Sequence, residues 1–141
     1  MPKDNKLDHL AQVRLFSAMT KRDLTHIGRA SDEITVPAGK VLVQEGTTGH
    51  EFFLILEGTA TVKRNNRKVA SLGTGNYFGE LALLSRSPRN ATVVADTDMR
   101  LLVLGQREFS GLLDEVPGLA HKLLTAMAAR LREADAKAVS N

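Results

Sequence analysis

The stretch FGELALLSRSPRNATV, residues 78–93, sets a glycine and a carboxylate before a short apolar run, with a Pro-Arg pair ten residues after the glycine. Residues 81–84 are too few for an independent helix but enough for one turn, and Gly79 lets the backbone enter it closely. Such a turn exposes unpaired N–H groups at its start, which suit an anion. Arg89, held by Pro88 just ahead of the β-branched run NATVV, brings a planar fork that matches two phosphate oxygens at once. Glu80 would repel a phosphate it faced, so its place is on a hydroxyl or on Arg89 itself. A ligand with a phosphate and a sugar hydroxyl satisfies both residues. An ordinary ion pair pinning a loop is the alternative, and two residues taken alone favour it.

Outward from this stretch the chain is built of short β-branched segments punctuated by glycine. EITV (33–36), KVLVQ (40–44), EFFLILE (51–57), TATVKR (59–64), RKVASL (67–72), NATVVA (90–95) and MRLLVL (99–104) read as seven short strands. Close spacing and turn signals between them predict an antiparallel sandwich or barrel. Pro37-Ala38-Gly39, the segment from Gly46 to Gly49, Glu57-Gly58, Asn65-Asn66 and the segment from Gly73 to Gly75 are expected to supply positive backbone angles to the turns.

Helical patterns flank the strands. Leu7, Leu10 and Arg14 fall at helical spacing, and Thr20 opens TKRDLTHIGRA as an N-cap with Asp23 three residues on, a near capping box. Leu24, Ile27 and Ala30 share a face. After Gly105, QREFSGLLDEV places Phe109, Leu112 and Leu113 together, and Pro117-Gly118 breaks it before a last helix. There Ala120, Leu124, Met127, Leu131 and Ala134 are spaced four, three, four and three apart, with Leu119 and Leu123 widening the apolar face. Packing on the chain's own barrel and a dimer seam fit this pattern equally well.

At 141 residues the chain matches one domain with one core. It contains no cysteine, which excludes disulfides, thiolate metal sites and a cysteine nucleophile. The opening MPKDNKLDHLAQ lacks an apolar core of signal-peptide length, and no apolar run approaches a membrane span, so a soluble, cytoplasmic protein is expected. The formal charge is +3, but the basic residues are dispersed and the densest patch, KRNNRK (63–68), reads as a solvated hairpin turn. No nucleic-acid recognition motif accompanies it. His9, His26, His50 and His121 are scattered rather than clustered with a carboxylate, and no serine sits in a nucleophile elbow, so neither a cupin-type metal site nor catalysis is expected.

The full pattern of residues 78–93 closely resembles the phosphate-binding cassette of the cyclic nucleotide-binding domain family. That cassette is Phe-Gly-Glu-(Leu/Ile)-Ala-Leu, then a short loop and Pro-Arg-x-Ala-Thr-Val; here it reads Phe78, Gly79, Glu80, Leu81, Ala82, Leu83, then Pro88, Arg89, Asn90, Ala91, Thr92, Val93. The segment VPAGKVLVQEGTTGHEFFLILEGTATV (36–62) also resembles the family, with Gly39, Gly46, Gly49 and Gly58 at matching turns.

The resemblance covers roughly residues 15–135. It implies a single mainly β domain over residues 1–141: N-terminal helices (about 5–31), an eight-stranded antiparallel jelly-roll barrel (about 32–105) holding a short cassette helix, and C-terminal hinge and lid helices (about 106–136). It further implies that Arg89 binds a cyclic phosphate, assisted by backbone N–H groups near Leu83 and Ala91, that Glu80 takes the ribose 2′-hydroxyl, and that Val62 and Val69 touch the base. The implied ligand is cAMP, with cGMP second. Asn90 stands where the family more often has alanine, serine or threonine, and the last helix has no aromatic residue to cap the base. Leu124, Met127 and Leu131, or the flat face of Arg130, are the candidates to close the pocket.

The function this implies is a sensor that repositions its last helix on binding nucleotide and signals to an unidentified downstream protein or to a second copy. A degenerate fold acting as a ligand-free interaction or dimerisation module is the competing reading, and intact Glu80 and Arg89 speak against it. The chain is expected to be a complete small protein rather than a piece of a transcription factor or channel, from its opening methionine and charged end ADAKAVSN.

Overall fold

The structure, a computed structural model, describes residues 2–13, 16–79 and 88–140. Two helices, α1 (Pro2–Ala11) and α2 (Lys21–Ala30), precede eight strands: β1 (Asp32–Val36), β2 (Val41–Val43), β3 (Glu51–Glu57), β4 (Ala60–Arg64), β5 (Arg67–Leu72), β6 (Tyr77–Phe78), β7 (Thr92–Ala95) and β8 (Met99–Gly105). Helices α3 (Gln106–Glu115) and α4 (Leu119–Ser140) follow. The strands form two four-stranded sheets, ordered β1-β8-β3-β6 and β2-β7-β4-β5, and every pairing is antiparallel.

The expected single core is in fact two, and the alternation along β3 explains how they share one sheet. Successive strand side chains point to opposite faces, so Phe52, Leu54 and Leu56 meet α1 to α4 while Phe53 and Ile55 face the second sheet. All five are buried, which is why the segment reads as an unbroken apolar run. β8 divides the same way, with Leu102 and Leu104 on the helical side and Met99 and Leu101 between the sheets.

The helix signals in the sequence are borne out with sharper detail. Thr20 caps α2 through a complete capping box: its Oγ1 accepts from Asp23 N–H at 3.1 Å, and its own N–H donates to Asp23 Oδ2 at 3.0 Å. Of the expected shared face, Leu24 and Ile27 are buried and Ala30 is half-buried against the same core. Phe109 and Leu112 anchor α3. The expected N-terminal helix ends at Ala11, and Arg14 lies outside the described residues.

Three expectations are corrected. Strand β6 was absent from the pattern of seven because two residues carry no alternation; it exists because Tyr77 and Phe78 pair with Leu54 and Phe53 of β3. Gly49 and Gly73 do not take positive φ, whereas Gly39, Gly46, Gly58, Gly75, Asn65 and Asn66 do, the two asparagines turning the β4–β5 hairpin in two residues. Among the described side chains of α4, Leu119, Leu123 and Ala126 are buried and Met127 of the heptad seam packs partly buried against the helical core, while Ala120 and Leu124 of that seam are exposed. The chain's own core therefore takes the neighbouring stripe. Among the described residues no helix is long and apolar enough to cross a membrane.

Candidate functional site

Phe78, the start of the cassette, closes strand β6, and Gly79 follows it. The Phe78 ring stacks on Phe53 with centroids 4.8 Å apart and planes at 14°, in the core between the sheets. Anchored this way, the chain leaves the sheet at Gly79 with φ of 81°, a left-handed angle that glycine accepts without strain. Glu80, Leu81, Ala82 and Leu83 lie outside the described residues, as does the expected cassette turn.

The far end of the cassette is tied to the loop between β2 and β3. Arg89 N–H donates to the Thr47 carbonyl at 2.7 Å, and Gly46 N–H donates to the Arg89 carbonyl at 2.8 Å. Pro88 bridges to Thr48 as an isolated β-pair, and Glu45 N–H donates to Thr92 Oγ1 at 2.9 Å. The Pro88–Thr48 bridge includes the Arg89 N–H bond, and with the Gly46 N–H bond it holds the backbone on both sides of the arginine.

The Arg89 side chain then crosses towards the first sheet. Its Nη2 donates to the Glu51 carbonyl at 2.9 Å, at the start of β3. A methyl group placed on Gly79 would lie 2.6 Å from Arg89 Nη1 and 2.6 Å from the Glu51 carbonyl oxygen. One placed on Gly49 would overlap Nε and Cζ. The guanidinium is therefore half-buried in a slot between two glycine backbones, and it brings the two ends of the cassette together. A cleft of about 380 Å³ opens beside it, lined by Thr47, Thr48 and Gly49 and by strand β2.

Pairing of β7 with β4 sets the next positions. Val62 lies opposite Val93 and Lys63 opposite Thr92, so the residues after Arg89 run directly along β4. The Arg64 guanidinium reinforces this, its Nε donating to the Asn90 carbonyl at 3.1 Å. Asn90 is exposed, and Ala91 is buried. Val62 is half-buried against the inter-sheet core. Val69 is the extra residue of a bulge on β5, between the pairs Val62–Ala70 and Lys63–Lys68, and it is 52% exposed. Neither valine lines the cleft beside Arg89.

Of the candidate lid residues, Met127 packs against the helical core, Leu124 points to solvent, and the side chains of Arg130 and Leu131 lie outside the described residues. Lys122 of α4 pairs with Asp23 of α2, whose carboxyl is held below its ordinary value chiefly by that ammonium and by the Thr20 N–H. Among the described residues no group of three or more histidine, cysteine or acidic side chains is placed to hold a metal.

Sequence reasoning missed the role of Gly49, which it read as a turn glycine, and the Glu51 carbonyl, because a backbone acceptor leaves no trace in residue type. The Asp23–Lys122 pair spans 99 positions and carried no local signal.

Comparisons with known proteins agree with this arrangement. A cyclic nucleotide-binding domain model matches residues 33–116. The chain is 35% identical over 113 residues to a cAMP-dependent protein kinase regulatory subunit of Hypocrea atroviridis, covering 80% of this chain and 24% of that one. It is 40% identical over 114 residues to a cyclic nucleotide-gated potassium channel of Rhizobium etli, covering 81% and 32%. It thus spans a third or less of the length of these curated relatives. The N-terminal domain of a transcriptional regulator from Streptomyces coelicolor A3(2) superposes with a TM-score of 0.84 at 30% identity, over 89% of this chain and 94% of that one. With the family model matched from β1 through α3, across both sheets and the cassette, the chain belongs to the cyclic nucleotide-binding domain family.

Proposed function

We propose that the chain is a cAMP-binding sensor domain in which Arg89 grips the cyclic phosphate, Glu80 accepts from the ribose 2′-hydroxyl, and Val62 and Val69 flank the base. The observation that carries this reading is the seating of Arg89: its guanidinium donates to the Glu51 carbonyl and lies against two glycine backbones, which holds the fork in one orientation. A pre-oriented fork loses little freedom on binding an anion, and its two parallel donors suit a phosphate better than a single charge would. The cAMP-dependent kinase subunit among the relatives supports adenine as the base.

In this proposal the two sheets close as the family's jelly-roll barrel and residues 1–141 act as one cytoplasmic domain. The segment around α3 is the hinge, and α4 changes position on binding. Nucleotide shifts that equilibrium only by its differential affinity for the closed form. The output passes to a downstream protein or to a second copy through the outer face of α4, where Leu124 is 65% exposed.

Calorimetric titration of nucleotide-stripped protein with cAMP and with cGMP tests this. Saturable binding with cAMP preferred is the expected result; binding to neither nucleotide would leave an interaction module.

A further inference from the structure

Gly49 lies outside the cassette, in the loop between β2 and β3, and its backbone angle is one that any residue adopts. Conformation therefore does not require glycine here. Space does: the three atoms nearest to where a β-carbon would stand all belong to the Arg89 side chain, Nε, Cζ and Nη2. The flat guanidinium occupies the volume that any other residue's side chain would fill.

We propose that Gly49 is a positioning residue for the ligand, acting through Arg89. It forms one wall of the slot that holds the guanidinium, Gly79 forms another, and the Glu51 carbonyl fixes the rotation of the fork through Nη2. The inference rests on the proposed role of Arg89 in gripping the phosphate.

The two glycines differ in kind. At Gly79 the φ of 81° and the Glu51 carbonyl, 2.6 Å from an added methyl, make substitution a backbone problem. At Gly49 the nearest obstacles, at 1.8 to 2.4 Å, all belong to the far end of one long side chain, which can swing aside. A methyl group at position 49 thus spares the fold and spoils the placement of Arg89, a separation that a purely structural glycine does not show.

The experiment is a double-mutant cycle on the full chain, with Gly49→Ala, Arg89→Ala and the double variant titrated with cAMP and melted without it. Gly49→Ala is expected to weaken binding by about ten- to a hundred-fold. Its melting temperature should stay within about 4 °C of wild type. In the Arg89→Ala background the same substitution should change affinity by less than about twofold, because the clashing group is gone. An equal loss in both backgrounds would assign the glycine to the loop and overturn the proposal.

If Gly49→Ala alone fails to fold, recovery of folding in the double variant sustains the clash with Arg89, and failure of both overturns it. A ligand-free readout separates this inference from the nucleotide reading: the Arg89 Nε–Hε NMR signal, identified by its loss in Arg89→Ala. Should Arg89→Ala leave cAMP affinity untouched, the phosphate role falls. The slot then stands if Gly49→Ala moves that signal, and falls if it does not.

Discussion

A single aromatic contact sets where the cassette begins. Phe78 is 8% exposed and stacked on Phe53, so Phe78→Ala removes a filled volume between the sheets and should destabilise the fold by about 3–5 kcal/mol in urea denaturation. The next residue answers to a different physical demand. Gly79→Ala forces a β-carbon into a left-handed angle, which alone should cost about 1–2 kcal/mol of unfolding free energy, and the Glu51 carbonyl 2.6 Å from that carbon adds to the loss, whereas Gly49→Ala in the facing loop should lose less. Equal stability loss at the two glycines would contradict this separation. The sequence announced the polar character of this site through Pro88, Arg89 and the glycine at 79. It was silent on Gly49, because a residue type tells of missing volume but not of which distant side chain fills it.

Among the elements, α2 and α4 are joined by one ion pair. Asp23 completes the capping box of α2 and also receives Lys122 from α4, so its carboxylate serves two helices at once. Its folded value lies below the ordinary 3.8, chiefly because of the Lys122 ammonium. The stabilisation is therefore complete above that ordinary value and is lost as the pH falls through the lower folded one. Asp23→Asn should flatten the acid side of the stability profile below about pH 4, and an unchanged profile in acid-denaturation measurements would rule the linkage out. Lys122→Met should lower stability by about 1–3 kcal/mol at neutral pH, read from urea midpoints. The capping box was legible from Thr20 and Asp23 because it is local. Its second partner was not, since only the tertiary fold brings α4 alongside. The same limit explains α4 itself: the apolar stripe was visible, but whether Leu123 or Leu124 turns inward depends on the helix's rotation against its neighbours. Strand β6 escaped notice because two residues have no period.

At the scale of the whole molecule, β3 and β8 separate two cores, one beneath the helices and one between the sheets, and Arg89 reaches from the strand edge of one sheet to the other. The flanking helices pack on the face of the first sheet away from the second, so the proposed movement of α4 would repack the helical core and not the inter-sheet one. A charge placed at Leu124 addresses the outer face of α4 without touching either core. If α4 joins two copies, Leu124→Glu should reduce the sedimentation mass without lowering the melting temperature, since Leu124 lies outside the core; a wild-type monomer would dismiss the dimer. Calorimetric titration of Arg89→Ala with cAMP weighs the phosphate contact itself. Losing a charge-assisted pair to the phosphate should cost about 2–5 kcal/mol, roughly thirty- to several-thousand-fold in affinity; an affinity equal to wild type would contradict it.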